Sequence, residues 1–244
     1  MLSNSIEVEI RRHSENAPWT YAALDRRQRE IADQVREGGP GALLLSEVSP
    51  VITVSRRTPG SDLLISENRL NQNGISLFHT DRGGLATYHG PGQWVLFAVD
   101  SLERLTGDRR GVRKAVCALL EIALEVGQKY VPTAEIRTGT EMGVWGSRGK
   151  FAAVGVHVER GVLLHGLAIN FYKTRESFLG LRPCGLDLPV EFLLSETIDD
   201  REIQFISAGS RLSETASNIM WRVKQDPRLT TVKAGAITTF LSDS

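Results

Sequence analysis

The segment SIEVEIRR at residues 5–12 alternates apolar and polar residues, which predicts a first strand. A helical period follows. Tyr21, Leu24, Ile31 and Val35 recur through 19–37 with polar residues between them, and the GGPG of 38–41 ends the helix. ALLLSE (42–47) and VITVS (51–55) predict two strands around a turn at Pro50, RRTPGSD (56–62) a loop, ISENRLNQNG (65–74) a short helix closed by Gly74, and ISLFH (75–79) another strand. WVLFAVD (94–100) is apolar enough for a buried strand. Between 109 and 131, Val112, Val116, Leu119, Leu120, Ala123 and Val126 form one apolar stripe, the strongest helical pattern in the chain. Short strands are expected at 134–138, 142–146, 150–160 and 162–172, the last two meeting in a hairpin at Gly161. The segment 175–187 is compact and turn-rich, and 210–225 reads as a final helix. Long strands without regular crossover helices argue for one α+β domain over 1–244, with a mixed, largely antiparallel sheet flanked by helices.

Composition adds limits. With 29 basic and 29 acidic residues, the chain has no global field to draw it to nucleic acid or an anionic membrane. Two cysteines do not make a disulfide scaffold. The N-terminal residues lack a secretory pattern, and no apolar run is long enough to span a bilayer, so the expectation is a cytoplasmic protein. There a thiol stays reduced and available for chemistry.

Three patterns are candidates for that chemistry. RGGLATYHGPGQ (82–93) crowds four glycines beside Arg82, Tyr88 and His89, a backbone shaped to lie against something else. Cys184 follows Pro183 and precedes Gly185, so a sharp turn would project its sulfur. Cys117 sits inside the apolar helix and reads as a small core residue. Lys150 opens an otherwise apolar strand, where it is either a solvated end or a cation near a thiolate. On 162–172, period two places His165, Leu167 and Ile169 on one face and Gly166, Ala168 and Asn170 on the other, where small residues admit either a ligand or tight sheet packing. The five histidines show no metal-ligand spacing, and RGGLATYHGPGQ is not a phosphate loop.

Taken in order, RGGLATYHGPGQ, GKFAAVGVHV, HGLAIN and RPCG resemble the lipoyl(octanoyl) transferases, over about residues 20–200. Residues 201–244 fall outside the resemblance. Two positions depart from the family's pattern: Val48 stands where a histidine is usual, and Ser55 where a glycine is usual. The resemblance implies the biotin/lipoate protein ligase fold, with the acyl chain in a tunnel. It implies substrate-binding roles for Arg82, Gly83, Gly84, Leu85, Ala86, Thr87, Tyr88 and His89, for Ala153, Val154 and Gly155, and for Gly166, Leu167 and Ala168. Cys184 would be the nucleophile and Lys150 its activating acid/base, with backbone N–H groups near Gly185 and 153–155 facing the oxyanion.

The implied reaction moves octanoyl from acyl carrier protein to the lysine of lipoyl domains of 2-oxoacid dehydrogenase complexes, and of the glycine cleavage H protein. It needs no cofactor or metal, and the protein is expected to act as a monomer. Two alternatives stand beside it: an ATP-dependent lipoate or biotin ligase on the same fold, and a non-catalytic module that binds acyl carrier protein.

Overall fold

A computed structural model describes residues 6–182, 189–195 and 200–223. In chain order the elements are β1 (Glu7–Arg11), α1 (Tyr21–Arg36), β2 (Ala42–Ser46), β3 (Val51–Ser55), α2 (Glu67–Gln72), β4 (Ser76–Thr80), β5 (Thr87–His89), β6 (Gln93–Ser101), α3 (Leu102–Thr106), α4 (Val112–Gly127), β7 (Glu135–Arg137), β8 (Gly143–Trp145), β9 (Lys150–Glu159), β10 (Val162–Asn170) and α5 (Arg201–Val223). The main sheet has the order β1-β2-β6-β10-β9-β8-β7, and a smaller one has the order β4-β3-β5. Each sheet holds one parallel pair, β1/β2 and β3/β4; the other pairings are antiparallel. The expected α+β class and largely antiparallel sheet are observed.

Three apolar clusters explain why the strands read as they do. α4 and α5 cover one face of the main sheet through Leu119, Leu120, Phe205 and Leu212. α1 covers the other through Tyr21, Leu24 and Ile31, against Leu44, Val95 and Phe97. Covered on both sides, β2 and β10 are buried along their whole length, which is why β2 is a continuous apolar run. The small sheet has its own cluster of Ile52, Val54, Leu70, Ile75, Ala86, Tyr88 and Leu181.

Local chemistry sets several element ends. The Thr20 hydroxyl accepts the Ala23 N–H at 3.2 Å and caps α1, and Ser66 and Ser101 cap α2 and α3 in the same way. The β9–β10 hairpin turns through Arg160 (φ 50°) and Gly161 (φ 77°), two successive left-handed residues as a tight two-residue turn requires.

Four expectations need correction. α5 begins at Arg201, nine residues before the predicted helix start at 210. Residues 87–89, inside the glycine-rich motif, are a strand that pairs with β3. A short helix, α3, follows β6 where the sequence pattern gave none. His165 leaves the face that alternation assigns to it: at φ 61° its backbone is left-handed, and its ring joins Tyr21 and Phe97 on the α1 side. Its neighbours Leu163 and Leu167 pack on the α4 side.

Candidate active site

A cavity of about 380 Å³ lies between α1, the main sheet and the loop that leads into β5. Its floor is built from β6, β10 and β9, with Val95 and Phe97 on β6, Gly166 and Ala168 on β10, and Ala153 and Gly155 on β9. Gly83, Gly84, Leu85 and Thr87 cover it from above. Tyr21, His89 and His165 close the buried end, and Gly139, Thr140, Met142 and Lys150 border the other.

The covering loop approaches β9 closely. The Gly83 N–H donates to the Val156 carbonyl at 2.9 Å, which lays the loop on β9. A Cβ on Gly155 would stand 2.8 Å from the Gly83 carbonyl oxygen, so only glycine lets the loop sit that low. Arg82 fixes the loop from behind: its guanidinium donates to the Thr53 carbonyl at 3.0 Å, to the Thr53 hydroxyl at 2.8 Å and to the Gly83 carbonyl at 2.9 Å. Ser55, one of the two departures from the family pattern, donates its hydroxyl to the Gly84 carbonyl at 2.7 Å. The substitution thus adds a tie between β3 and the loop. Val48, the other departure, is fully buried beneath α1.

Twelve of the fourteen residues expected to bind substrate line this cavity: Arg82 to Leu85, Thr87 and His89; Ala153 to Gly155; Gly166 to Ala168. Ala86 and Tyr88 do not. Both are fully buried in the small sheet's cluster, and the Tyr88 ring packs on Phe178 with centroids 5.4 Å apart. In β5 the alternation sends Thr87 and His89 to the cavity and Tyr88 to the opposite side. Gly166 has a packing role as well, since a Cβ there would overlap the Leu96 carbonyl oxygen of the adjacent strand. The small-residue face thus both lines the cavity and packs tightly against β6.

Polar groups around the buried end form two hydrogen-bonded clusters. His89 Nδ1 and Gln93 Oε1 are 2.6 Å apart, and the Gln93 amide donates to the Asn170 side-chain oxygen at 2.8 Å and to the Tyr88 carbonyl at 3.1 Å. Burial, and then the nearby Arg82 charge, push the His89 imidazole down to about 3, so it is neutral at physiological pH. His165 Nε2 lies 2.8 Å from Asp81 Oδ1, while its Nδ1 faces the Tyr21 hydroxyl at 3.4 Å and the Gln28 amide at 3.3 Å. The His165 hydrogen bond, and then Arg29, hold the Asp81 carboxyl well below the usual carboxylate range. Asp81, His157 and Glu159 bring ligand-type atoms within 4.8 Å of one another. Arg29 already stands 3.0 Å from Asp81 and 3.6 Å from Glu159, so the charge a cation would meet is balanced. The cavity's interior is apolar and its bordering histidine His89 is uncharged, a setting for an uncharged aliphatic ligand.

Lys150 borders the outer end of the cavity, with its Nζ 5.8 Å from the centroid of the Trp145 ring. Its side chain runs over Gly143, where a Cβ would collide with it. Its backbone pairs with 189–191: the Lys150 N–H donates to the Pro189 carbonyl at 2.9 Å, and the Glu191 N–H to the Lys150 carbonyl at 3.0 Å. Glu191 is buried and was not singled out from the sequence. Its carboxylate accepts the Arg148 and Gly149 N–H groups, each at 3.0 Å, and so holds the turn that presents Lys150. Cys184 lies outside the described residues. Cys117 is buried within α4, as its apolar surroundings predict. Tyr21, Val95, Phe97, Gly139, Thr140 and Met142 are cavity residues the sequence did not single out. For Val95 and Phe97, period-two alternation within WVLFAVD was the available signal.

No helix among the described residues is long and apolar enough to cross a membrane. Residues 21–206 match the model of the lipoyl protein ligase A/B catalytic domain. An octanoyltransferase of Alkaliphilus metalliredigens is 40% identical over 165 residues, spanning 67% of this chain and 70% of that one. A mitochondrial octanoyltransferase of Arabidopsis thaliana is 30% identical over 213 residues, spanning 85% and 88% of the two chains. Among solved structures, P. falciparum LipL1 in complex with lipoate superposes with a TM-score of 0.58 over 95% of this chain and 75% of its own. At 11% identity that likeness concerns the fold alone. The chain therefore belongs to the lipoyl protein ligase A/B catalytic-domain family and is an enzyme of its octanoyltransferase group.

Proposed function

We propose that the protein takes an octanoyl group from acyl carrier protein onto Cys184 as a thioester and passes it to the lysine of a lipoyl domain, with Lys150 as the proton carrier. Cys184 as thiolate, paired with the Lys150 ammonium, attacks the thioester carbonyl. The carrier's thiolate leaves and takes the proton from Lys150. The lysine of the acceptor domain then attacks the octanoyl-enzyme, Lys150 receives its proton, and the cysteine leaves as thiolate, restoring the starting ion pair. One thioester is consumed and one amide is formed, so the reaction needs no ATP and no cofactor. Acceptors are the lipoyl domains of 2-oxoacid dehydrogenase complexes and the glycine cleavage H protein, which share an exposed lysine as the attacking group.

One observation carries this reading. The Lys150 side chain borders an apolar cavity while its backbone is hydrogen-bonded to Pro189. Pro189 stands five positions after Cys184 (189 − 184), and five residues reach at most about 17 Å. Past Ala152, β9 pairs with β10 and has no strand on its β8 side among the described residues. Alternation from Lys150, whose N–H and carbonyl face 189–191, points the Val154 N–H to this open side, where it is a donor for the oxyanion.

The test combines two variants. Cys184→Ser should lower octanoyl transfer from acyl carrier protein by several orders of magnitude. Lys150→Ala should slow alkylation of Cys184 near neutral pH and move its rate–pH curve to higher pH, because the thiolate loses its counter-charge. A Cys184→Ser enzyme with normal turnover, or ATP-dependent incorporation of free octanoate by it, would refute the covalent route.

A further inference from the structure

The register of the sheet beneath the cavity describes a ruler. Val95 on β6 lies beside Ala168 on β10, which lies beside Ala153 on β9; Phe97, Gly166 and Gly155 form the parallel row. All six line the cavity. In these two rows the β9 and β10 positions are Ala and Gly, and at β6 the rows step up to Val and Phe. Adjacent strands are about 4.8 Å apart, so the low floor between β9 and β6 is about 10 Å wide. A fully extended peptide advances about 3.5 Å over three bonds, or about 1.2 Å per bond. On that scale the seven carbon–carbon bonds of an octanoyl chain cover about 8–9 Å. A chain entering from the Lys150 end and lying across β9 and β10 would reach the step at β6 with its last carbons.

The step is backed by packed rings. The Tyr21 ring stands 6.1 Å from Phe97 and stacks on His89 at 5.3 Å, and His165 meets Phe97 edge-on at 5.3 Å. The left-handed backbone of His165 brings its imidazole into this wall, and the Asp81–Arg29 ion pair lies behind it. In a wall of rings packed this closely, none can move aside without losing a partner's contact.

We propose that Val95 and Phe97, backed by Tyr21, limit acyl chain length at this site. The inference rests on the acyl-transfer reading above and adds the residues that set its specificity. It predicts how an equimolar mixture of hexanoyl-, octanoyl-, decanoyl- and dodecanoyl-pantetheine distributes among acyl-enzyme adducts, read by intact mass at short times. The unaltered enzyme should carry mainly octanoyl. Each methylene newly admitted to the cavity is worth about fourfold. Phe97→Ala should therefore raise the decanoyl-to-octanoyl ratio by about fifteenfold, and Val95→Ala by about fourfold. Ala168→Val raises the floor before the step and should shift the distribution toward hexanoyl. The two smaller substitutions move the ratio in opposite directions, so they decide the matter even if Phe97→Ala does not fold. Octanoyl adducts with unchanged ratios in Val95→Ala and Ala168→Val would overturn the ruler and leave the acyl-transfer reading standing. No adduct of any length on the unaltered enzyme would overturn that reading, and the ruler with it.

Discussion

Glu191 offers a sharp test of how Lys150 is positioned. Its carboxylate is buried and accepts two backbone N–H groups, from Arg148 and Gly149, on one oxygen, while the Arg148 guanidinium Nε lies 3.2 Å from the other. The Gly149 N–H is itself in a buried residue. Glu191→Ala leaves that donor without a partner, at about 1–3 kcal/mol, and removes a second, more exposed bond worth about 1 kcal/mol. The expected loss is about 2–4 kcal/mol, or a fall in Tm of roughly 4–16 °C for a domain of this size. Glu191→Gln keeps an oxygen for both backbone donors and surrenders the ionic part; Arg148, whose side chain is 71% exposed, can turn to water. That variant should lose only about 1 kcal/mol. Urea denaturation followed by tryptophan fluorescence gives both values. Because Glu191 also pairs with the Lys150 backbone, Ala should lower kcat more than Gln does. Equal stability losses in the two variants, or a loss below about 0.5 kcal/mol in Ala, would refute the claim that this carboxylate holds the turn.

Two further outcomes follow from the same geometry. Gly155→Ala puts a Cβ against the Gly83 carbonyl and should lift the covering loop, lowering kcat/KM at least about tenfold in a folded protein; unchanged kcat/KM would contradict the close approach. His89 is neutral when folded, with its pKa depressed to about 3 from 6.5, so the unfolded chain binds the extra proton and stability falls as pH drops below about 6.5. Between pH 7 and pH 5 the parent should lose about 2 kcal/mol more than His89→Gln, measured by urea unfolding at each pH; parallel curves would refute the assignment.

Much of the architecture was legible because burial leaves a periodic trace. The stripe from Val112 to Val126 became α4, and Gly161 marked the β9–β10 turn. The cavity was partly legible, since Gly84 is needed for its left-handed backbone (φ 87°) and Gly155 for close approach, whatever the ligand. The failures share a cause. His165 breaks alternation because its ring is bonded to Asp81, and that tertiary bond outweighs a strained backbone; period two cannot anticipate it. Tyr88 was placed at the substrate because it belongs to the motif, yet one residue of register sends it into a second core. Glu191 had no local signal at all: its partners are more than forty positions away. The β6 step needs the pairing of three strands to become visible, although its residues alternate plainly within WVLFAVD.

The covalent route stands or falls on one mass spectrum. Mixing the enzyme with octanoyl-acyl carrier protein in the absence of an acceptor domain should yield an octanoyl-enzyme whose added mass maps by peptide analysis to Cys184 and disappears when a lipoyl domain is supplied. An enzyme that transfers octanoyl at full rate while never carrying it, or that carries it on another residue, would contradict the account.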